Sequence, residues 1–237
     1  MRNQLITSSP KLSTILIIAA IFGTVAFLYS IIGFFNNQPT SYRVNVYGSV
    51  SPQEVAGHFL FGYIVALPTR NLKLGILAGL MALAIDADHI LAAAGFQISI
   101  RLSHSILFAI IASILIGLAA SRIFERQSSG TELLETQSLV RSSVGVGKDP
   151  NLNPAGLYDS RLSVKAKLFF QFLVLTLAAY MSHIAYDVFV DTRAVFPLLS
   201  PFNFHEVLIP QIYGLPIEGA AILMVYLWYA IKDPSEA

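Results

Sequence analysis

Long apolar runs separated by short polar segments are the dominant pattern along this chain. Six runs predict membrane-spanning α-helices, because crossing the hydrocarbon core of a bilayer takes about 20 apolar residues. The predicted spans are 12–35, 52–67, 72–94, 98–120, 167–190 and 213–231. The second is short, but Ser51-Pro52-Gln53-Glu54 offers a serine N-cap, proline at the first helical position and glutamate at the third. The pattern predicts an all-α, polytopic membrane helix bundle of about six transmembrane helices.

The same pattern divides the chain into four parts. Residues 1–36 predict an N-terminal transmembrane anchor, since the run is too long for a signal peptide and no small-x-small cleavage site follows it. Residues 52–120 hold helices two to four and most of the polar residues. Residues 121–166 are polar, rich in Ser, Gly and charge, and predict a flexible cytoplasmic loop. Residues 167–237 hold the last two helices.

Positive charge predicts the orientation of these helices. Cytoplasmic loops are enriched in Lys and Arg. With both termini in the cytoplasm, only Arg43, Arg101 and Arg193 of the 15 Lys and Arg residues lie outside. We therefore expect a multi-pass protein of the cytoplasmic (plasma) membrane with both termini inside.

Composition limits the chemistry. The chain is 55% hydrophobic and 12% charged, with a net charge of +1, and no basic cluster with interleaved aromatic residues indicates a nucleic-acid partner. There is no cysteine, so thiolate ligands and cysteine nucleophiles are excluded. A bound metal would be held by imidazole and carboxylate groups, which suit zinc, manganese or iron. The oligomeric state stays open.

Ionisable residues are few within the predicted helices, and they are Asp and His. Such residues cost several kcal/mol in a bilayer unless they are paired, hydrated or bound to something. At a rise of about 1.5 Å per residue, one set of these residues lies roughly 8–12 Å from the predicted outer ends of four helices: His58, Asp86, His89, His104 and His183. The shared level predicts one metal site near the outer face.

Spacing refines this site. Asp86 and His89 are three residues apart, and His183 and Asp187 are four apart, so each pair shares one helix face. Asp88 lies about 200° around a regular helix from Asp86. One of these two aspartates is therefore a ligand while the other orients a histidine or lines the cavity. Asp187 either binds the metal or holds His183 through its second ring nitrogen.

Three motifs resemble one known family. They are Asp86-Ala-Asp88-His89, Arg101-Leu-Ser-His104-Ser105 and His183-Ile-Ala-Tyr-Asp187. With His58 before them and the proline-containing loop 196–202 after them, they resemble the membrane-bound, metal-dependent hydrolases of the YdjM type over residues 57–202. The resemblance implies a hydrolase whose site residues are His58, Asp86, Asp88, His89, His104, His183 and Asp187.

The leading hypothesis is a membrane-embedded metal-dependent hydrolase acting at the outer face, with zinc as the favoured ion. The expected ligands are His58, Asp86, His89, His104, His183 and Asp187. Asp88 is the expected general base, and Arg101 is expected to contact an anionic group of a phosphoester or lipid-linked substrate in the membrane. No GxSxG, P-loop or HExxH pattern is present.

Three other interpretations stay open. The same residues could carry protons or metal ions across the bilayer as a transporter. They could hold a structural metal in a non-catalytic protein. They could also be a network of interhelical hydrogen bonds without any ion.

Overall fold

A computed structural model describes residues 10–34, 51–94, 101–142, 154–192 and 194–232 of the chain. Within these ranges the chain forms seven α-helices and one short β-hairpin. The helices are α1 (Leu12–Phe34), α2 (Pro52–Val65), α3 (Leu72–Ala84), α4 (Ala87–Ala93), α5 (Ile106–Ser142), α6 (Pro154–Val190) and α7 (Gly214–Lys232); the strands are β1 (Val195–Phe196) and β2 (Val207–Leu208).

Four helical stretches in the described residues are long and apolar enough to cross a membrane, which indicates a membrane protein. They are Leu12–Ile32, Ile106–Arg126, Val164–Val190 and Gln211–Tyr229, and they correspond to four of the six predicted spans. The other two predicted spans contain shorter helices. Helix α2 has 14 residues and α3 has 13, which gives each a length of about 20 Å. The number of crossings and the orientation of the termini stay predictions.

Helices α2 and α3 form a closely packed antiparallel pair. The predicted cap of α2 is confirmed, because the Ser51 hydroxyl accepts a hydrogen bond from the Glu54 amide at 3.2 Å. A Cβ atom at Gly62 would lie 2.6 Å from the Ala78 carbonyl oxygen. At Gly79 it would lie 2.8 Å from the Phe59 carbonyl oxygen. These two glycines are therefore required for the approach of the two backbones.

Helices α5, α6 and α7 continue the antiparallel arrangement. Phe108 near the start of α5 packs against Tyr180 of α6, and Phe124 farther along α5 packs against Phe172. Gly214 at the start of α7 lies against Phe189 near the end of α6. Consequently the starts of α2, α5 and α7 and the ends of α3 and α6 meet at one end of the bundle.

Helix α1 packs along the side of this bundle, against α3, α4 and α5. The Lys73 ammonium at the start of α3 donates a hydrogen bond of 2.6 Å to the Pro10 carbonyl. Farther along α1, Phe22 contacts Phe108 of α5 with ring centroids 5.9 Å apart. Helix α1 therefore runs parallel to α3.

The structure corrects the predicted loop at residues 121–166. Helix α5 continues to Ser142, and α6 begins at Pro154. Residues 143–153 lie outside the described ranges. The first part of the segment contains no proline and includes the strong helix formers of the stretch 132–137, so its local propensity extends the helix although its composition is polar. Overall polarity was a poor guide to backbone conformation here.

Two predicted spans differ from the structure at the ends that contain the polar residues. The run 72–94 is not one helix, because α3 ends at Ala84 and α4 starts at Ala87. In the run 98–120, residues 98–100 lie outside the described ranges, Leu102–His104 form a 3-10 turn, and α5 begins at Ile106. Tertiary contacts of the polar side chains account for both departures.

Candidate metal centre

A break between α3 and α4 organises the site. In a continuous helix the Asp86 amide would bond to the Ala82 carbonyl. Here the Asp86 amide instead faces the Leu83 carbonyl at 3.4 Å, and the Asp86 carbonyl accepts from the His89 amide at 3.0 Å. The Ala82 carbonyl is thereby released. It accepts a hydrogen bond from the Nδ1 atom of His183 at 2.8 Å.

This hydrogen bond fixes the tautomer of the neutral His183 ring. A carbonyl oxygen only accepts, so Nδ1 carries the ring proton and Nε2 of the neutral ring presents a lone pair. His183 Nε2 lies 2.9 Å from His104 Nε2. His104 is held in turn by its backbone, since the buried Tyr180 hydroxyl donates to the His104 carbonyl at 2.6 Å. The ring of Phe196 in β1 stacks parallel to His104 at 6.1 Å.

Two carboxylates complete the arrangement around these imidazoles. Asp86 Oδ1 lies 3.5 Å from His104 Nε2 and 3.6 Å from His183 Nε2. Asp187 Oδ2 lies 3.6 Å from the first and 3.5 Å from the second. Two ligand atoms bound at about 2.1 Å to one cation are roughly 3.0–3.4 Å apart at ordinary coordination angles. Each imidazole therefore has nearly the spacing to a carboxylate that a shared ion requires, and Asp86, His104 and His183 form one set that could hold it.

His58 of α2 closes a third side of the same space. Its Nε2 atom lies 3.2 Å from Asp86 Oδ2 and 3.3 Å from Asp187 Oδ1. Its ring stacks on that of His183 with centroids 4.1 Å apart. The Tyr186 ring packs against the edge of His58 and lies so close to Gly57 that a Cβ atom there would overlap it. A glycine before His58 thus allows the tyrosine to cover the site.

A second group adjoins the first through Asp86. His89 Nε2 lies 3.8 Å from Asp86 Oδ1 and 3.9 Å from Asp88 Oδ1. Arg101 donates to both aspartates, from Nη2 to Asp86 Oδ1 at 2.6 Å and from Nε to Asp88 Oδ2 at 3.0 Å. The two carboxylates face one guanidinium because the helix is interrupted between Ala84 and Ala87, whereas a regular helix would turn them apart.

The charges of this cluster favour a bound cation. Four carboxylates surround the imidazoles: those of Glu54, Asp86, Asp88 and Asp187. In the described part of the chain, the basic side chain that pairs with these carboxylates is that of Arg101. When ionised, these groups carry three more negative charges than positive ones. In the low-dielectric interior of a bundle this excess is costly unless a cation offsets it.

Unpartnered buried atoms agree with that conclusion. Among the described residues, the buried atoms Nδ1 of His58, Oδ1 of Asp88 and Oδ2 of Asp187 make no hydrogen bond. Three overlapping sets of donors could each hold a metal ion. They are His58, His183 and Asp187; Asp86, His104 and His183; and Asp86, Asp88 and His89. His183 and Asp86 each belong to two of the sets.

All eight residues singled out from the sequence meet in this region, which we call the His/Asp cluster: His58, Asp86, Asp88, His89, Arg101, His104, His183 and Asp187. His205, in contrast, is an exposed residue of the loop between β1 and β2. In the structure the Arg101 guanidinium binds Asp86 and Asp88, and its expected contact with a substrate stays a prediction.

Sequence reasoning missed two neighbours of the cluster. Glu54 Oε2 lies 3.9 Å from His58 Nε2, although the sequence indicated only a capping role for this residue. Its spacing of four residues from His58 on one helix face was the available signal. Tyr186, which covers His58, had no comparable signal, because it is next to Asp187 and its orientation depends on the packing of α2 against α6.

Comparison of the chain with protein-family models, with curated proteins and with solved structures gave no match. The interpretation of the cluster therefore depends on its geometry and chemistry.

Proposed function

We propose that this protein is a membrane-embedded, metal-dependent hydrolase. The observation that carries the proposal is the convergence of Asp86 from the α3–α4 break, His104 from the turn before α5, and His183 and Asp187 from α6, with Nε2–Nε2 and Nε2–carboxylate distances of 2.9–3.6 Å. The resemblance of the motifs to YdjM-type hydrolases supports the same reaction class. The proposed site is near the outer face of the plasma membrane.

In this proposal a divalent ion, with zinc favoured, is held by nitrogen and oxygen atoms of the cluster. The ligands are drawn from His58, Asp86, His89, His104, His183 and Asp187. When bound, such an ion lowers the pKa of coordinated water to about 7 and polarises the bond to be cleaved. The fixed tautomer of His183 keeps its Nε2 lone pair directed into the cluster, and Tyr186 limits access of bulk water from the side of His58.

Asp88 is the proposed general base. Its Oδ2 atom is held by Arg101, while its buried Oδ1 atom accepts no hydrogen bond and is available to take a proton from the attacking water. For Arg101 we propose first a positioning role, because it fixes both Asp86 and Asp88. Contact of Arg101 with an anionic group of the substrate stays a prediction.

The apolar half of the bundle argues against transport. Basic residues mark the far end of the helices, and they lie roughly 18–27 Å along each helix from the cluster. They are Arg70, Lys73, Arg122, Lys165 and Lys167. Between them and the cluster, the described stretches 59–69, 74–85, 106–121 and 168–182 carry no charged residue. We call the buried side chains Leu77, Ile116, Phe124, Phe172 and Leu175 of this region the apolar belt.

An interrupted helix such as α3–α4 also occurs in transporters. Here, however, the interruption lies at the cluster itself, and the described stretches of the apolar half carry no charged residue to continue it. A purely structural ion is also a poor fit. Four ligands close such a site, whereas the cluster provides four imidazoles and three carboxylates, with a fourth carboxylate, Glu54, beside it.

Metal content is the decisive test of the ion. We expect purified wild-type protein to retain a divalent metal through dialysis, and the Asp86→Asn variant to lose it, because Asp86 belongs to two of the three ligand sets. Glu206→Gln is the matched control, since Glu206 is an exposed carboxylate in the loop between the strands. Metal-free wild-type protein that gains no thermal stability from added zinc, manganese or iron would contradict the proposal.

Turnover tests the reaction class. We expect wild-type protein to hydrolyse members of a panel of phosphoesters and carboxylic esters, and Asp88→Asn to lower kcat about 10²–10⁴-fold while the metal is retained. The retained metal separates loss of a base from loss of a ligand. Equal rates for Asp88→Asn and wild type would remove Asp88 as the base, and divalent-ion flux into liposomes without any turnover would favour transport.

A further inference from the structure

An apolar cleft lies beside the His/Asp cluster, between α1, α2 and the interrupted helix α3–α4. Its volume is about 540 Å³, which is within the range of small-molecule sites. Its apolar lining includes Ala19, Gly23 and Phe27 of α1, Leu80 and Ala84 of α3, and Ile90 of α4. Its ionisable lining residues are His58, Asp86 and His89. The cleft is therefore hydrocarbon-like along most of its length and ends on the cluster.

Small residues create this space. A Cβ atom at Gly23 would meet Ala84 Cβ at 3.8 Å, an ordinary van der Waals distance. This differs from Gly62 and Gly79, where a Cβ atom would lie within 2.8 Å of the backbone of the neighbouring helix. Those two glycines permit close packing. Gly23 instead leaves a gap between helices, which a larger side chain would fill.

The cleft has a route to the hydrocarbon of the bilayer. In the described residues, α1 packs against α3, α4 and α5 but hardly against α2. The outward side of α1 is apolar and exposed, with Leu16 51% and Leu28 55% accessible. Since most of α1 is a candidate membrane span, we expect the space between α1 and α2 to face lipid tails rather than water.

We propose that the cleft holds the hydrocarbon chain of a membrane amphiphile and that its head group lies at the His/Asp cluster. The assignment of this molecule as substrate rests on the proposed function. A chain entering between α1 and α2 remains in apolar surroundings, and the bond that joins chain to head group comes to rest beside His58 and Asp86. Hydrolysis there adds the water oxygen to the acyl carbon or phosphorus, breaks the ester bond to oxygen, and returns a proton to the departing alcohol.

Photolabelling tests occupancy of the cleft without any need for metal or turnover. The probe is a medium-chain alkanol that carries a diazirine, irradiated with the full-length protein in detergent, and the labelled residues are located by mass spectrometry. We expect adducts on Phe27, Leu80 and Leu83 in wild type, which line the cleft and are not exposed. Gly23→Phe should reduce the yield at these positions at least fivefold, because its ring occupies the gap. Leu28→Phe, which enlarges an outward side chain of the same helix, should leave the yield unchanged.

A second variant distinguishes filling of the cleft from misfolding caused by a single substitution. Ala19→Leu fills the cleft one turn from Gly23 and should reduce labelling in the same way. Metal content and unfolding temperature, measured on all variants, identify any that fold incorrectly. Equal labelling of Phe27, Leu80 and Leu83 in wild type and in correctly folded Gly23→Phe and Ala19→Leu would overturn the inference. So would adducts confined to outward residues such as Leu16.

Chain-length selectivity connects the cleft to the reaction. The measurement is the ratio of kcat/KM for long-chain and short-chain esters of the same head group. Each buried methylene improves binding about fourfold, so the wild-type ratio should be large. Gly23→Phe should lower it at least tenfold, and Leu28→Phe should preserve it. Positive labelling without turnover would mean that the proposed hydrolase function fails while the cleft still binds a chain. Turnover with equal ratios in wild type and Gly23→Phe would overturn the cleft as the chain site.

Discussion

The His/Asp cluster and the apolar belt lie at different levels of the same bundle and satisfy their polar groups in different ways. In the cluster, α3 is interrupted, backbone groups bond to side chains, and several polar atoms have no hydrogen-bond partner. In the apolar belt, the helices are regular and aromatic residues such as Phe124 and Phe172 fill the space between them. Thr176, a buried polar residue of this region, bonds to the Phe172 carbonyl of its own helix at 2.7 Å.

This difference indicates that the stability of the fold depends mainly on the apolar belt and the proposed chemistry on the cluster. Regular helices satisfy their own backbone groups, so the apolar belt needs only well-packed side chains. The cluster collects buried charge that ordinary packing does not stabilise; Arg101 offsets part of it, and the proposed cation would offset more. A change in the belt should therefore weaken the fold without removing the metal, whereas a change in the cluster should remove the metal.

The largest effect is expected at His183, which contributes to two ligand sets. His183→Ala should remove the metal and lower kcat/KM for hydrolysis by at least about 10³-fold, which corresponds to roughly 4 kcal/mol. Thr176→Val, two turns away on the same helix, is the control and should retain both metal and activity. Metal analysis and kinetics on the same preparations check this. Full metal occupancy in His183→Ala would contradict the position assigned to this residue.

A packing change in the apolar belt should lower the free energy of unfolding and leave the metal content unchanged. Phe172 is 1% exposed and contacts Phe124. Phe172→Ala leaves a cavity that should lower the free energy of unfolding by about 3–5 kcal/mol, with metal content unchanged at temperatures below the transition. Phe170→Ala on the exposed side of the same helix should cost much less. Thermal unfolding in detergent measures both, and metal loss from folded Phe172→Ala would show that the two regions are not separable.

The smallest effect is expected at Glu218 of α7, which lies outside the cluster. This residue is 7% exposed, and although the Ser182 hydroxyl lies close by, neither carboxylate oxygen has a partner with full hydrogen-bond geometry. Replacing it by a methionine of similar length removes an uncompensated buried polar group and should raise the free energy of unfolding by about 1 kcal/mol. Glu206→Met, at an exposed position, should change it less. A loss of activity in Glu218→Met would instead assign Glu218 to the chemistry.

Periodicity and length predicted the helices well where apolar residues decide the conformation. The four candidate membrane spans of α1, α5, α6 and α7 match predicted runs, and the serine N-cap of α2 forms as expected. The helix prediction was wrong where polar residues decide the backbone conformation. The run 72–94 was interpreted as one helix, although its own spacing placed Asp86 and Asp88 on different sides. The interruption between Ala84 and Ala87 resolves that conflict by changing the backbone.

Sequence alone determined that His58, Asp86, His104 and His183 should share one level in the bundle. The reason is that residue count along a helix fixes depth, and that charge in a membrane must find partners. Only the tertiary structure decided how they meet. The release of the Ala82 carbonyl for His183, the pairing of Arg101 with two aspartates and the open space beside Gly23 all depend on how neighbouring helices pack, which no local pattern specifies.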